Sequence, residues 1–274
     1  MALKIDGKVL LAGAGNMGQA LLSGWLDRGL DPLGIVVQDP APPPSTSALV
    51  ARHGVTLKAR IATLEEPPAV IVLAVKPQVM EEALPPLARL CSPQTVVLSI
   101  AAGRTIAGIE RHLAKEAGVV RSMPNTPAAI GRGITVAVAN AHVTPAQKTT
   151  CEGLLAAVGE VAWLEEEGAL DAVTAVSGSG PAYVFYLAEC LAAAGEKAGL
   201  EARLAERLAR ATVSGAGELM RLSPLPADKL RSNVTSPSGT TEAALNVLMA
   251  DDGLAKLMSK AVAAATRRSR ELAS

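Results

Sequence analysis

The chain has 274 residues, enough for one large or two ordinary domains, and its 26 Lys+Arg balance its 26 Asp+Glu. No net field therefore draws it to nucleic acid or anionic lipid, and with aromatic residues at 2% it lacks the ring platforms on which single strands stack. Cys91, Cys151 and Cys190 are odd in number and far apart, and His53, His112 and His142 show no ligand spacing, so neither a disulfide framework nor a metal site is expected.

The first predicted element is the apolar strand Lys8–Ala12, which runs into Gly13-Ala14-Gly15-Asn16-Met17-Gly18 and then a helix over 16–28. A buried strand, G-x-G-x-x-G and an apolar helix form the pattern that receives a pyrophosphate. The first glycine permits a tight turn, the second admits the phosphates to the backbone, and the third lets helix pack on strand. The helix start offers unpaired N–H groups and a partial positive charge. Ile35–Gln38 is the second strand. It ends at Asp39, where an acidic side chain accepts hydrogen bonds from an adenosine ribose and repels a 2′-phosphate. The plain alternative is an aspartate that caps the turn before Pro40.

After the turn-rich 39–44, a helix over 45–53 leads to a third strand, Ala69–Val75, apolar on both faces as a central parallel strand is. A helix over 78–90, the strand Thr95–Ile100, a helix over 105–115 and the strand Gly118–Met123 follow. Ile134–Ala139 and Val161–Trp163 complete the strands. This alternation predicts an α/β fold, a Rossmann-type doubly wound parallel sheet over residues 1–164. Ligands on such a sheet sit beyond the carboxyl ends of the strands. Three of those ends, Ala74-Val75-Lys76-Pro77, Ala101-Ala102-Gly103 and Met123-Pro124-Asn125-Thr126-Pro127, carry unusual residues. Any one alone could be a simple turn; together they mark the rim of a cofactor crevice.

Past Glu165-Glu166-Glu167 the strand pattern stops, and residues 165–274 read as an all-α domain with helices over 182–198, 201–222, 241–250 and 253–272. The last places Leu254, Leu257, Met258, Ala261, Val262 and Ala265 on one face. The 182–222 region is apolar over more than one face, which predicts burial against a second copy. Two further segments carry chemistry. Ser177-Gly178-Ser179-Gly180-Pro181-Ala182-Tyr183 is a small-residue turn into a helix. Asn233-Val234-Thr235-Ser236-Pro237-Ser238-Gly239-Thr240-Thr241 enters another, leaving backbone N–H groups for a substrate carboxylate unless Thr240 or Thr241 is only an N-cap. No apolar run approaches the ~20 residues of a membrane span, and no signal sequence is evident, so a soluble cytoplasmic protein is expected.

Gly13–Met17, Ala74–Pro77, Met123–Pro127, Ser177–Tyr183 and the Ser236–Thr241 loop, taken in this order, resemble pyrroline-5-carboxylate reductase nearly end to end. The resemblance implies reduction of 1-pyrroline-5-carboxylate to L-proline by NADH or NADPH, the last step of proline biosynthesis. It implies a Rossmann domain followed by a helical domain that joins two chains, with larger assemblies of dimers also found in the family. It assigns cofactor contacts to Ala12, Gly13, Ala14, Gly15, Asn16, Met17, Asp39, Ala74, Val75, Lys76, Pro77, Ala101, Ala102 and Gly103. Substrate contacts fall to Glu167, Asn233, Thr240 and Thr241. Two departures stand out. Ser238 replaces the first glycine of the family's S-P-G-G, which carries strain if that position needs φ > 0. Asp39 stands where members favouring NADPH often have a small hydroxyl residue, which favours NADH.

The expected chemistry is hydride transfer to the imine carbon, with the Thr241 hydroxyl as the catalytic contact to the ring nitrogen and no strong general acid in the motifs. A 3-hydroxy-acid dehydrogenase is the nearest alternative. It needs a general base such as a lysine early in the first long helix of the second domain, and residues 182–196 contain none while Lys197 comes late. A non-catalytic dinucleotide sensor would have no use for the 236–241 loop.

Overall fold

The structure, a computed structural model, describes residues 2–273. Among the described residues, eight strands form one sheet: β1 Val9–Ala12, β2 Ile35–Gln38, β3 Thr56–Lys58, β4 Val70–Leu73, β5 Val96–Ser99, β6 Gly118–Met123, β7 Gly133–Ala139 and β8 Gly159–Trp163. Their spatial order is β3-β2-β1-β4-β5-β6-β7-β8. The first six are parallel, in the doubly wound order that reverses between β1 and β4. That reversal opens a crevice at the carboxyl ends of β1 and β4.

β1, β4 and β5 are buried on both faces, which is why they read as unbroken Val/Leu/Ile runs. Helices cover the sheet: α1 Asn16–Asp27, α2 Pro44–His53, α3 Met80–Ala88, α4 Ile106–Glu110 and α5 Pro145–Ala156. Leu21, Leu22 and Trp25 of α1 are fully buried at helical spacing, and the Trp25 indole N–H donates to the Leu154 carbonyl at 2.9 Å.

Two strands run against the parallel expectation. β7 is antiparallel to β6, and β8 is parallel to β7. The connection over 124–132 holds only a 3-10 turn, Thr126–Ile130, too short for the crossover that a parallel neighbour needs. β7 and β8, by contrast, are joined through α5. That helix starts with a capping box, Thr144 and Gln147 exchanging side-chain and backbone hydrogen bonds, with Pro145 in its first turn. β3 and α5 are absent from the sequence-based expectation, and α4 is shorter than the expected 105–115.

Two compact units emerge from the packing. One extends to Gly178 and also takes in the end of the chain from Thr266; the other is Ser179–Ala265. In the first, a 3-10 turn at Glu167–Ala169, α6 at Leu170–Val173 and a π turn at Thr174–Gly178 follow the sheet. In the second, α7 Gly180–Lys197 and α8 Ala202–Leu222 form a hairpin, with Gly195 against Ala205 and Leu200. The Glu201 side chain caps the Arg203 and Leu204 amides. α9 Ala227–Asn233 and α10 Thr240–Leu248 follow. α11 Leu254–Ala273 starts in the second unit and ends in the first, where the Ser269 hydroxyl donates to Asp171 Oδ1 at 2.7 Å.

Candidate active site

Segments 13–18, 74–77 and 101–103 follow the adjacent parallel strands β1, β4 and β5, so they share one end of the sheet. Gly13 has φ +92°, and a Cβ there would stand 2.7 Å from the Ala74 carbonyl group. A Cβ at Gly18 would collide with the Gly13 carbonyl oxygen. At Gly15 it would meet nothing within 4 Å. Two glycines are thus demanded by the protein's own packing, while the middle one leaves room for something that is not protein. α1 begins at Asn16 with Gly15 as N-cap and no side-chain cap, so its first amides face that open space. The donors and the space fit a dinucleotide pyrophosphate.

Asp39 is built into the loop. Its Oδ2 accepts the Ala14 N–H at 2.7 Å and its Oδ1 accepts the Ala41 N–H at 2.8 Å. The other polar group of Ala14 is held too: the buried Thr46 hydroxyl donates to the Ala14 carbonyl at 2.9 Å. Thr46 escaped the sequence reading, because nothing in the Ser45-Thr46-Ser47 run singles it out. Asp39 keeps lone pairs on both oxygens, so a bond to the loop does not bar one to a ribose hydroxyl.

At the ends of β4 and β5, the Ala74 N–H donates to the Ala12 carbonyl at 2.7 Å. Ala101 is buried, Ala102 is exposed, and Gly103 has φ +68°. A Cβ at Gly103 would come within 3.2 Å of the Leu272 carbonyl oxygen. Arg104, also unexpected, ties two of these loops together. Its Nε and Nη2 donate to the Pro77 carbonyl at 3.1 and 2.6 Å, and its Nη1 meets Glu81 at 3.0 Å. Among the rim residues expected from the sequence, Asn125 serves the sheet, its Oδ1 accepting the Ile134 N–H at 2.9 Å where the chain turns into β7.

Glu167 lies in the same unit. Its Oε1 accepts both the Arg121 Nη1–H at 2.7 Å and the Ile106 N–H at 2.8 Å. Asn233, Thr240 and Thr241 belong to the second unit, where they flank one loop: Asn233 ends α9, and the threonines open α10. Gly239 is the N-cap of α10 and supplies no side chain, so the Thr240, Thr241 and Glu242 amides have no partner within the helix. Neither threonine is the cap. Ser238 has φ +58°, and its N–H donates to Glu242 Oε2 at 2.8 Å.

Residues 167–272 match a family model described as pyrroline-5-carboxylate reductase dimerisation, and 8–103 one described as NADP oxidoreductase coenzyme F420-dependent. A pyrroline-5-carboxylate reductase of Pseudomonas aeruginosa is 40% identical over 266 residues, 97% of each chain. The structure of one from Coxiella burnetii aligns with a TM-score of 0.90 at 35% identity, covering 98% of this chain and 99% of that one. The Plasmodium falciparum pyrroline carboxylate reductase with NADP bound aligns with a TM-score of 0.79 at 27% identity, again over 98% and 99%. With likeness over its whole length and the dinucleotide loop in place, the chain belongs to the pyrroline-5-carboxylate reductase family of NAD(P)-dependent oxidoreductases.

Proposed function

We propose that this chain reduces the cyclic imine 1-pyrroline-5-carboxylate to L-proline, the last step of proline biosynthesis, with NADH preferred over NADPH. The uncapped start of α10 carries this reading. Amides of Thr240, Thr241 and Glu242 suit a substrate carboxylate, and a helix start adds about 0.3–2 kcal/mol to the binding of an anion. Asn233, one loop away, is a further donor to the same ligand. The only lysine of α7 is its last residue, Lys197, which weighs against the base-catalysed hydroxy-acid chemistry.

The nicotinamide cofactor supplies the hydride. In this reading the amides that open α1 hold the pyrophosphate, backed by Ala12–Met17. Asp39 takes the adenosine ribose, and Ala74–Pro77 and Ala101–Gly103 flank the nicotinamide half. The Thr241 hydroxyl meets the imine nitrogen. Hydride adds to the imine carbon, which is C2 of the pyrroline ring and becomes C5 of proline, and the C=N π pair moves to nitrogen; the nitrogen arrives protonated, so no protein acid is required. Orientation supplies the acceleration, up to about 7–11 kcal/mol in the best intramolecular models.

Preference for NADH rests on Asp39 and on Pro40–Pro44, which bring a carboxylate and no cation to the ribose. Self-association into a homodimer, with larger rings as a further step, is supported by the apolar side chains left uncovered on the second unit, among them Phe185 at 63% and Val247 at 72% exposure. A cytoplasmic setting accords with three free cysteines, and no helix of the described residues is long and apolar enough to cross a membrane.

The test is an assay of NADH oxidation. Turnover with pyrroline-5-carboxylate, and none with hydroxy or keto acids, supports the reading; the reverse ends it. Thr241→Ala should lower kcat far more than it raises the KM for NADH, and unchanged kinetics would reject its role.

A further inference from the structure

We infer that Glu167 is a positioning residue: clamped by the buried Arg121, it fixes the loop that carries the nicotinamide, a role beyond the substrate contact that the family likeness assigns to it. The inference rests on the reading of 101–103 as the ring-bearing segment. Glu167 Oε1 receives two donors, Arg121 Nη1–H at 2.7 Å and Ile106 N–H at 2.8 Å. Arg121 projects from β6, beside Ser99 in register, and its side chain is only 7% exposed. A cation so enclosed needs its counter-ion in one place, and that requirement fixes the Glu167 carboxylate.

The second donor gives the pair its purpose. Ile106 opens α4, a helix of five residues whose first amides lack partners of their own. Thr105 caps the Gly108 N–H at 3.1 Å, and Glu167 takes the Ile106 N–H. With both satisfied, the backbone leaving Ala101-Ala102-Gly103 is held two residues beyond Arg104. Arg104 in turn grips the Pro77 carbonyl. Arg104 and, through Glu167, Arg121 thus both tie down the backbone just past Gly103, and the ring would lie on a surface that does not give.

The experiment separates the two halves of the dinucleotide. Calorimetric titration of the full-length protein with NADH and with ADP-ribose, alongside steady-state kinetics, is performed on Glu167→Ala, Glu167→Gln and Ala102→Leu. Glu167→Ala should raise the Kd for NADH about tenfold with the ADP-ribose Kd unchanged. Glu167→Gln keeps an acceptor for the Ile106 N–H but leaves Arg121 without its counter-ion, so it should recover only part of the loss. If Glu167→Ala does not fold, Arg121→Lys, which keeps the cation but not the fork, should show the same split. A raised KM for pyrroline-5-carboxylate with NADH binding intact would overturn the inference, as would equal losses for NADH and ADP-ribose. Ala102→Leu tests the underlying reading by itself: if NADH binding ignores that added bulk, the loop does not carry the ring.

Discussion

Asp39, at the end of β2, reaches back to Ala14 beside β1, its Oδ2 accepting that amide at 2.7 Å while Oδ1 accepts the Ala41 amide at 2.8 Å. The carboxylate that would choose the cofactor is therefore also a strut of the loop that binds it. Bonds to a charged acceptor contribute about 1.5–3 kcal/mol each. Asp39→Ser should weaken NADH by about ten- to a hundredfold without a matching gain for NADPH, because the glycine loop loses its anchor. Initial rates with both cofactors across a concentration series check this, and a clean switch to NADPH would contradict it.

The glycines of the loop should separate folding from binding. Gly15→Ala adds a methyl where no atom beyond its chain neighbours lies within 4 Å, so its urea midpoint should match that of the parent chain while its NADH affinity falls. Gly18→Ala drives the methyl into the Gly13 carbonyl and should cost about 1–3 kcal/mol of stability. Equal behaviour of the two in denaturation would refute the assignment of that space to phosphate.

Ser238 sits at φ +58°, where a side chain other than glycine is strained. Ser238→Gly should stabilise the protein by about 0.5 kcal/mol, the relief of strain exceeding the extra freedom of the unfolded chain. The amide that donates to Glu242 survives the change, so the KM for the imine should hold. Ser238→Val, β-branched at the same φ, should lower both stability and substrate affinity. Chemical denaturation of the three proteins ranks them.

Burial pushes the Cys91 thiol up to about 11 and Cys151 up to about 12. The folded chain thus keeps protons that the unfolded chain loses, and the resulting stability is whole below the ordinary thiol range and drains away as pH rises through it. Tm should hold to about pH 8 and fall between about pH 9 and about pH 12, the upper limit set by Cys151. In Cys151→Ala the fall should be shallower, and a slope equal to the parent's would show that other groups govern it.

The parallel half of the sheet was legible because its strands are wet on neither face: Val9–Ala12, Val70–Leu73 and Val96–Ser99 announce themselves as apolar runs. β3 was not, since Thr56–Lys58 is short, at the sheet edge and mostly exposed. The direction of β7 is carried by its connector and not by Ile134–Ala139, whose pattern suits either sense. α5 did carry a signal, Thr144-Pro145 followed by Gln147, but its weakly apolar face hid it. Within the site, the glycine loop and Asp39 are local in sequence and could be read. The clasp of Arg121 and Glu167 spans 46 positions, and Arg104 acts on Pro77 from 27 away; no spacing rule joins such partners.

The closing turns of α11 rejoin the first unit, Ser269 bonding Asp171 and the Leu272 backbone lying against Gly103. In synthesis order those turns follow the whole second unit. The 101–103 loop and Asp171 are therefore made well before the helix that packs on them, and the first unit gains this contact only after the second has been synthesised.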